Sequence, residues 1–314
     1  MSDAQAQLGV DQLAALWEEA VPGERLPEEV LRERLLEDPD CDLSLWLAAR
    51  HGGRLVGAAV GVVRPDPAGG KPAGYVQFLA VAPAFRRQKV ASRLLDELER
   101  RLVSKGVRAI RAFDSAPSYL WPGIDVQFTP ALCLFERRGY ALRSYEFNMK
   151  VDLTRPLAAP PEKERREALE RAGIAVRRLR PEDEASLGDW MLRTWGPHWA
   201  YEVGVALRRQ PPAGFAAVQD GQWIGFAVYD SGRPGWFGPM GVEPRWQGTG
   251  LGIELCVRCF EDMAQRGYTE AQIAWAGPRC FYARKLGASI SRVFARVEKV
   301  VDVADEEQRG GRPA

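Results

Sequence analysis

The residues best suited to chemistry in this 314-residue chain are three closely spaced glycines in Gln247-Gly248-Thr249-Gly250-Leu251-Gly252. They stand between an apolar run that ends at Val242 and a stretch of helical periodicity that starts at Leu251. Glycines let backbone N–H groups converge on one point, and a helix start adds partial positive charge. The combination is a cradle for a pyrophosphate. A Walker-type loop would need Gly-Lys-Ser/Thr, which the segment lacks. A dinucleotide fingerprint needs GxGxxG, whereas here the third glycine comes one residue early. The pattern that remains is Gln/Arg-x-x-Gly-x-Gly/Ala.

The same segment occurs twice. Residues 81–95 align with residues 242–256 at an offset of 161, placing Pro83 on Pro244, Phe85 on Trp246, Arg86 on Gln247, Ala91 on Gly252 and Leu94 on Leu255. The offset still holds for Gly106 and Gly267. We read this as a duplication. Each copy has the elements needed to position such a loop. Two apolar runs come first, 45–49 and 55–63 around His51-Gly52-Gly53, and 215–219 and 223–229 around Asp220-Gly221. Turn residues between apolar runs predict hairpins. A further strand follows in each copy, 75–81 and 236–242. Helices come next, marked by Val90, Leu94, Leu98 and Leu102 in one copy and by Leu251, Leu255, Cys259 or Phe260, and Met263 in the other. Gly106 and Gly267 end them, and strands over 107–113 and 270–275 close the plan.

Val-x-Pro-x-aromatic-Gln/Arg-x-x-Gly-x-Gly followed by an apolar helix resembles the GNAT superfamily of N-acetyltransferases. The resemblance covers residues 8–151 and 174–303, and the tandem layout is similar to that of mycothiol synthase and related two-domain members. It implies an α/β (α+β) fold of two tandem GNAT-like domains, each a mixed, mostly antiparallel sheet flanked by helices. It also implies acetyl transfer from acetyl-coenzyme A to a primary amine, by direct attack and without a covalent enzyme intermediate or a metal. No Gly-x-Ser-x-Gly is present to suggest a nucleophile.

Residue by residue, the resemblance makes Gln247, Gly248, Thr249, Gly250, Leu251 and Gly252 the pyrophosphate loop. The strand ending at Val242 would offer its backbone to the pantetheine and polarise the thioester carbonyl near Met240. It makes Tyr282, in Phe281-Tyr282-Ala283-Arg284-Lys285-Leu286-Gly287, the candidate general acid for the departing thiolate, with a packed helix aromatic as the alternative. Tyr282 lies one residue further from Gly287 than the family spacing. The first copy departs from the pattern. Lys89 replaces the first glycine and is expected not to take glycine's backbone angles, although its ammonium can meet a phosphate, and Phe135 holds the tyrosine place. The second copy is therefore expected to be the main active site. A general base is sought by elimination among Asp230, Glu202 and His198. The rival reading is a non-catalytic acyl-coenzyme A sensor or binding module.

Gly106 to Gly139 spans 33 positions and Gly267 to Gly287 spans 20, so the first copy carries an insertion. It holds Trp121, Pro122, Gly123 and Asp125. It reads either as a surface loop pinned by Trp121 or as a pocket wall with Asp125 facing a cationic amine. Trp195, Trp199, Trp223 and Trp236 could line a substrate cleft in the second copy or fill its core.

Composition excludes other classes. Lys+Arg total 43 against Asp+Glu 42, which gives no reason to expect a nucleic-acid partner. No uninterrupted apolar stretch of about 18 residues predicts a membrane span, and the first residues do not resemble a secretory signal. Five cysteines without a close framework favour reduced thiols and a cytoplasmic location. Cys256 and Cys259 read as core thiols on one helix face rather than as a metal pair. Three prolines between 154 and 161 suggest a linker. The expected layout is therefore 1–153, a linker over 154–173, a second domain over 174–303 and a charged, disordered tail over 304–314. The acceptor is expected to be a small-molecule or peptide amine, and oligomeric state is left open.

Overall fold

The computed structural model describes residues 8–65 and 70–301, so the expected 304–314 tail lies outside the described residues. In chain order the main elements begin with α1 (Val10–Ala20), α2 (Glu28–Leu31), β1 (Trp46–His51), β2 (Arg54–Arg64), β3 (Ala73–Val81), α3 (Val90–Ser104), β4 (Ala109–Ala112), β5 (Ile124–Asp125), α4 (Thr129–Arg137) and β6 (Ala141–Asp152). They continue with α5 (Glu162–Arg171), β7 (Ala175–Arg178), α6 (Glu184–Thr194), α7 (Pro197–Leu207), β8 (Gly214–Gln219), β9 (Gln222–Tyr229), β10 (Trp236–Val242), α8 (Leu251–Gln265), β11 (Glu270–Ile273), α9 (Arg279–Leu286) and β12 (Ser289–Val300). Among the described residues, no helix is long and apolar enough to cross a membrane.

The chain divides into two compact units that repeat one mixed α/β plan. In the first, β1, β2 and β3 run antiparallel, β3 pairs in parallel with β4, and β4 pairs antiparallel with the end of β12. In the second, β7, β8, β9 and β10 run antiparallel, β10 pairs in parallel with β11, and β11 pairs antiparallel with the end of β6. Leu94, Leu95, Leu98 and Leu102 of α3 enter the first core; Leu251, Leu255, Cys256, Cys259 and Met263 of α8 enter the second. Even the irregularities repeat. The β2–β3 register shifts at Gln77, since Val60 pairs with Phe78 and Gly61 with Val76. The β9–β10 register shifts at the corresponding place, since Phe237 pairs with Tyr229 and Met240 with Ala227. A duplicated bulge is an inherited feature rather than an accident of packing.

The units do not follow the boundary drawn from the sequence at residue 153. One comprises residues up to Glu146 together with those from Phe294 onward; the other is Phe147–Val293. The physical reason is the length of β6 and β12, 12 residues each, which begin in one unit and end in the other. The segment read as a linker also packs: α5 buries Leu169 in the second core. In the first unit, β12 brings Phe294, Ala295 and Val297 to the core. It also brings Arg296 to Asp114 at 2.7 Å, Glu298 to Arg111 at 2.7 Å and Lys299 to Glu99 at 2.8 Å. The Asp114 side chain is only 1 % exposed, and removing one partner of a buried pair costs about 3–5 kcal/mol. A fragment of residues 1–153 should accordingly lack a cooperative thermal transition. Adding a peptide of residues 289–301 should restore one. A sharp transition in the fragment alone, by calorimetry, would show that β12 is dispensable.

Candidate active site

The glycine loop follows directly from the end of β10. A short turn over Pro244–Trp246 leads into Gly248 at φ +81° and Gly250 at φ +89°, ψ −7°, the residue before α8. A Cβ at either glycine would meet nothing within 4 Å. The backbone angle therefore favours glycine there, while the space over the loop stays open. Residues 247–249 are exposed. Gln247 Nε2 donates back to Val242 O at 3.3 Å, and Thr249 Oγ1 donates to Trp246 O at 2.7 Å. These bonds brace the loop from inside and leave its outer face, at the amino end of a 15-residue helix, for an anion.

The bulge opens the sheet beside that loop. β10 and β11 pair only at Trp236↔Gln272 and Phe237↔Ile273, with a last bond from Ala274 N–H to Phe237 O at 3.2 Å. β10 continues to Val242 with partners on β9 alone. Met240 and Val242 thus lie beyond the end of the parallel pairing, where strand backbone faces a gap rather than a neighbour. A Cβ at Gly252 would lie 3.5 Å from Met240 Cε and 3.7 Å from Phe281 Cζ, so loop, strand and α9 converge. At Gly241, ring atoms of Trp195 would lie 2.8 Å from an added Cβ. Trp195 stacks on Trp199 at 5.2 Å and meets Trp190 and Phe226 edge-on. The other two tryptophans considered from the sequence do not join them. Trp223 lies under Arg177 and Trp236 under Arg233.

Tyr282 is buried in the second core, its ring against Phe237 and Phe281. Burial, and secondarily Cys256, pushes its phenol well above the ordinary tyrosine range. Phe135 is likewise fully buried in the first unit, packed on Phe113 and Tyr140. Cys256 and Cys259 are fully buried with thiols pushed up by desolvation, and Cys259 Sγ donates to Ala227 O at 3.4 Å.

The base candidates separate. Asp230 is a turn residue at φ +55°, whose Oδ1 accepts from Gly235 N–H at 2.7 Å and whose Oδ2 accepts from the Tyr268 hydroxyl at 3.1 Å. It precedes β10, at the end opposite Met240 and the loop, which gives it a structural duty. His198 is exposed at the start of α7, and Glu202 is buried further along the same helix.

The first unit departs from expectation in two places. Lys89 stands at φ +63°, ψ 12°, and Arg87 at φ +62°, so the loop keeps the left-handed turns of Gly248 and Gly250 without glycine. Such angles cost a non-glycine residue on the order of 1–3 kcal/mol. Arg86 Nε donates to Val81 O at 3.2 Å, as Gln247 does to Val242. The insertion is not a surface loop. Residues 117–125 are buried; Trp121 stacks on Trp17 at 4.7 Å and donates to Glu24 Oε1 at 3.1 Å. Ile124 pairs with Ala295, and a Cβ at Gly123 would lie 2.7 Å from Ala295 O, which only glycine avoids. Asp125 is buried, and its Oδ1 accepts from Gln127 N–H at 2.9 Å.

A polar network beneath this insertion was missed in the sequence. Gln77, the bulge residue, donates to Asp38 Oδ2 at 2.8 Å and to Ser118 O at 3.2 Å. Arg64 bonds Asp38, Asp40 and Ser115 O. The available signal was a glutamine inside an otherwise apolar strand.

Comparison with known proteins identifies the family. The Acetyltransferase (GNAT) family matches residues 10–119 and 176–287, one match in each half. No curated protein matches the chain in sequence. Among solved structures, a GCN5-related N-acetyltransferase from Sphaerobacter thermophilus is 20 % identical with a TM-score of 0.63, covering 92 % of this chain and 91 % of its own. A tandem GNAT protein of the clavulanic acid biosynthesis pathway is 19 % identical with a TM-score of 0.64, covering 95 % and 97 %. The glucosamine N-acetyltransferase region of a fungal multi-domain β-N-acetylglucosaminidase is 19 % identical with a TM-score of 0.74; this chain is covered to 92 % but spans 37 % of that one. At such identities these likenesses speak for the fold. With both halves matched to one family, the chain belongs to the GNAT acetyltransferases and is an acetyl-coenzyme A-dependent N-acyltransferase.

Proposed function

We propose that the second unit is the main active site, where an acetyl group passes from acetyl-coenzyme A to the primary amine of a small molecule or peptide. The observation that carries this reading is the junction of a strain-free glycine loop with the gap between β10 and β11. The backbone of residues 247–252 receives the pyrophosphate, and the edge of β10 near Met240 and Val242 receives the pantetheine. Pro239 has no N–H, so Met240 supplies the nearest backbone donor past the bulge for the thioester oxygen. The neutral amine attacks the carbonyl carbon; the C–N bond forms, the C–S bond breaks, the thiolate takes a proton from the Tyr282 hydroxyl, and the proton shed by the nitrogen passes to water, from which the phenolate is reprotonated. Isothermal titration should find one tight acetyl-coenzyme A site per chain, and release of free coenzyme should rise with some members of an amine panel. Two equally tight sites would move the reading away from a single active half.

A second reading, in which this unit binds coenzyme without turning it over, is favoured by one feature. β10 carries no carboxylate between Trp236 and Val242, and Asp230 is engaged in a turn. Tight binding with no amine-dependent release across the panel would decide for it.

A further inference from the structure

We infer that Arg165, on the former linker, is a positioning residue for the coenzyme: it compensates a buried carboxylate directly behind the pyrophosphate loop. The inference rests on the reading that residues 247–252 hold the coenzyme diphosphate. The carboxylate belongs to Glu254 in the first turn of α8, four residues past Gly250 and about 6 Å along the helix axis. Its own N–H donates to Gly250 O at 3.1 Å. The Glu254 side chain is 2 % exposed. A buried negative charge so near a diphosphate opposes binding, and the low dielectric of the interior strengthens the opposition. An acidic residue in a first helical turn normally favours the helix, yet here the helix end is wanted for another anion.

Two guanidiniums answer it. Arg258 Nε, one turn on in α8 and 28 % exposed, donates to Glu254 Oε1 at 2.8 Å. Arg165 Nε, 8 % exposed, donates to Glu254 Oε2 at 2.8 Å, while its other end is held by Pro160 O. Arg258 comes with the helix itself. Arg165 comes only from α5, the helix joining the two halves of the repeat. The first copy has no need of such help: the residue at the place of Glu254 is Arg93, exposed, and the first turn of α3 carries no acid. The second copy has a carboxylate where the first has a cation, and the connecting segment supplies the missing charge.

The trio holds two positive groups and one negative, one positive charge in excess. Arg165→Met cancels the excess, Glu254→Gln doubles it, and the double variant returns it to the wild-type value. Acetyl-coenzyme A affinity, by calorimetry on the full chain, should follow that ladder. We expect Arg165→Met to weaken binding about tenfold, Glu254→Gln to tighten it, and the double variant to lie within about threefold of wild type. Arg165→Lys keeps the charge and should bind nearly as wild type. S-acetylpantetheine, which lacks the phosphates, should bind all variants alike in ligand-observed NMR.

Opposite signs for the two single variants are the result a merely structural role cannot give. Weakening by both, or equal loss of acetyl-coenzyme A and S-acetylpantetheine, would overturn the inference. Loss of binding in Gly250→Glu alongside no change in Arg165→Met would overturn it while leaving the site assignment intact. Wild-type affinity in Gly250→Glu would overturn both.

Discussion

Gly250→Glu is expected to weaken acetyl-coenzyme A binding by about 10²-fold or more, with little change in the fold of either core. Two effects add. The position stands at φ +89°, beyond the left-handed well that L residues occupy, so any side chain strains the turn by about 1–3 kcal/mol. The new carboxylate then projects into space that is empty of protein, where the phosphates are to sit. Two unit charges about 4 Å apart at an effective dielectric near 20 repel by about 4 kcal/mol. Gly250→Ala carries the strain without the charge and should fall between, near tenfold. Lys89→Glu reverses a charge at the matching place of the first unit and should leave the tight site unchanged. Titration of the three variants checks the ordering. Equal losses in Lys89→Glu and Gly250→Glu would assign the coenzyme to both halves.

The Lys89 comparison sharpens because the two loops proved more alike in shape than in composition. In sequence, a lysine in a glycine place reads as a broken turn. The backbone there is left-handed in both copies, and Arg87 follows Gly248 as Lys89 follows Gly250. What distinguishes the copies is charge and strain. The first loop and the helix turn after it hold Arg87, Lys89 and Arg93, whereas the second has Gly248, Gly250 and Glu254, the last paired with Arg165 and Arg258. Residue type set the cost of the turn and did not forbid it.

Elements whose partners are near in sequence were readable. The hairpins at Gly52-Gly53 and Asp220-Gly221, the loop and the helices after it form where periodicity and turn chemistry place them. The exchange of β6 and β12 was not readable, because alternation marks a strand without naming its partner, and Glu298 finds Arg111 across 187 residues. The insertion misled for a related reason. Ser118, Pro122 and Gly123 carry turn chemistry, yet the turn folds inward because Gly123 passes close to the backbone of Ala295. Charged helices hide their roles in the same way. Arg165 lies in the segment expected to be a linker, and only the fold shows that it turns inward to Glu254. Polar residues within apolar strands were the overlooked clue, with Gln77 the plainest case.

Tyr282→Phe is expected to lower the maximal rate by about 10²-fold, the usual scale for a general acid, and to leave coenzyme binding nearly unchanged. The variant removes one hydroxyl and keeps the ring, so the contacts with Phe237 and Phe281 survive. Burial holds the phenol above its ordinary range. That shift keeps the proton on the oxygen through the ordinary phenol range, so the wild-type rate should not fall as pH rises toward the ordinary phenol value. The same shift makes the phenol a weak donor in the ground state. The proton is needed only as the thiolate leaves, which is why the loss should fall on kcat rather than on KM. A packing role predicts something else, a lower melting temperature or none and an unchanged turnover. The two are separated by pre-steady-state measurement of thiolate release in Tyr282→Phe with an accepted amine. A rate equal to wild type, or a complex with the hydroxyl more than about 6 Å from the sulfur, would return Tyr282 to the core as an aromatic that packs α9 against the sheet.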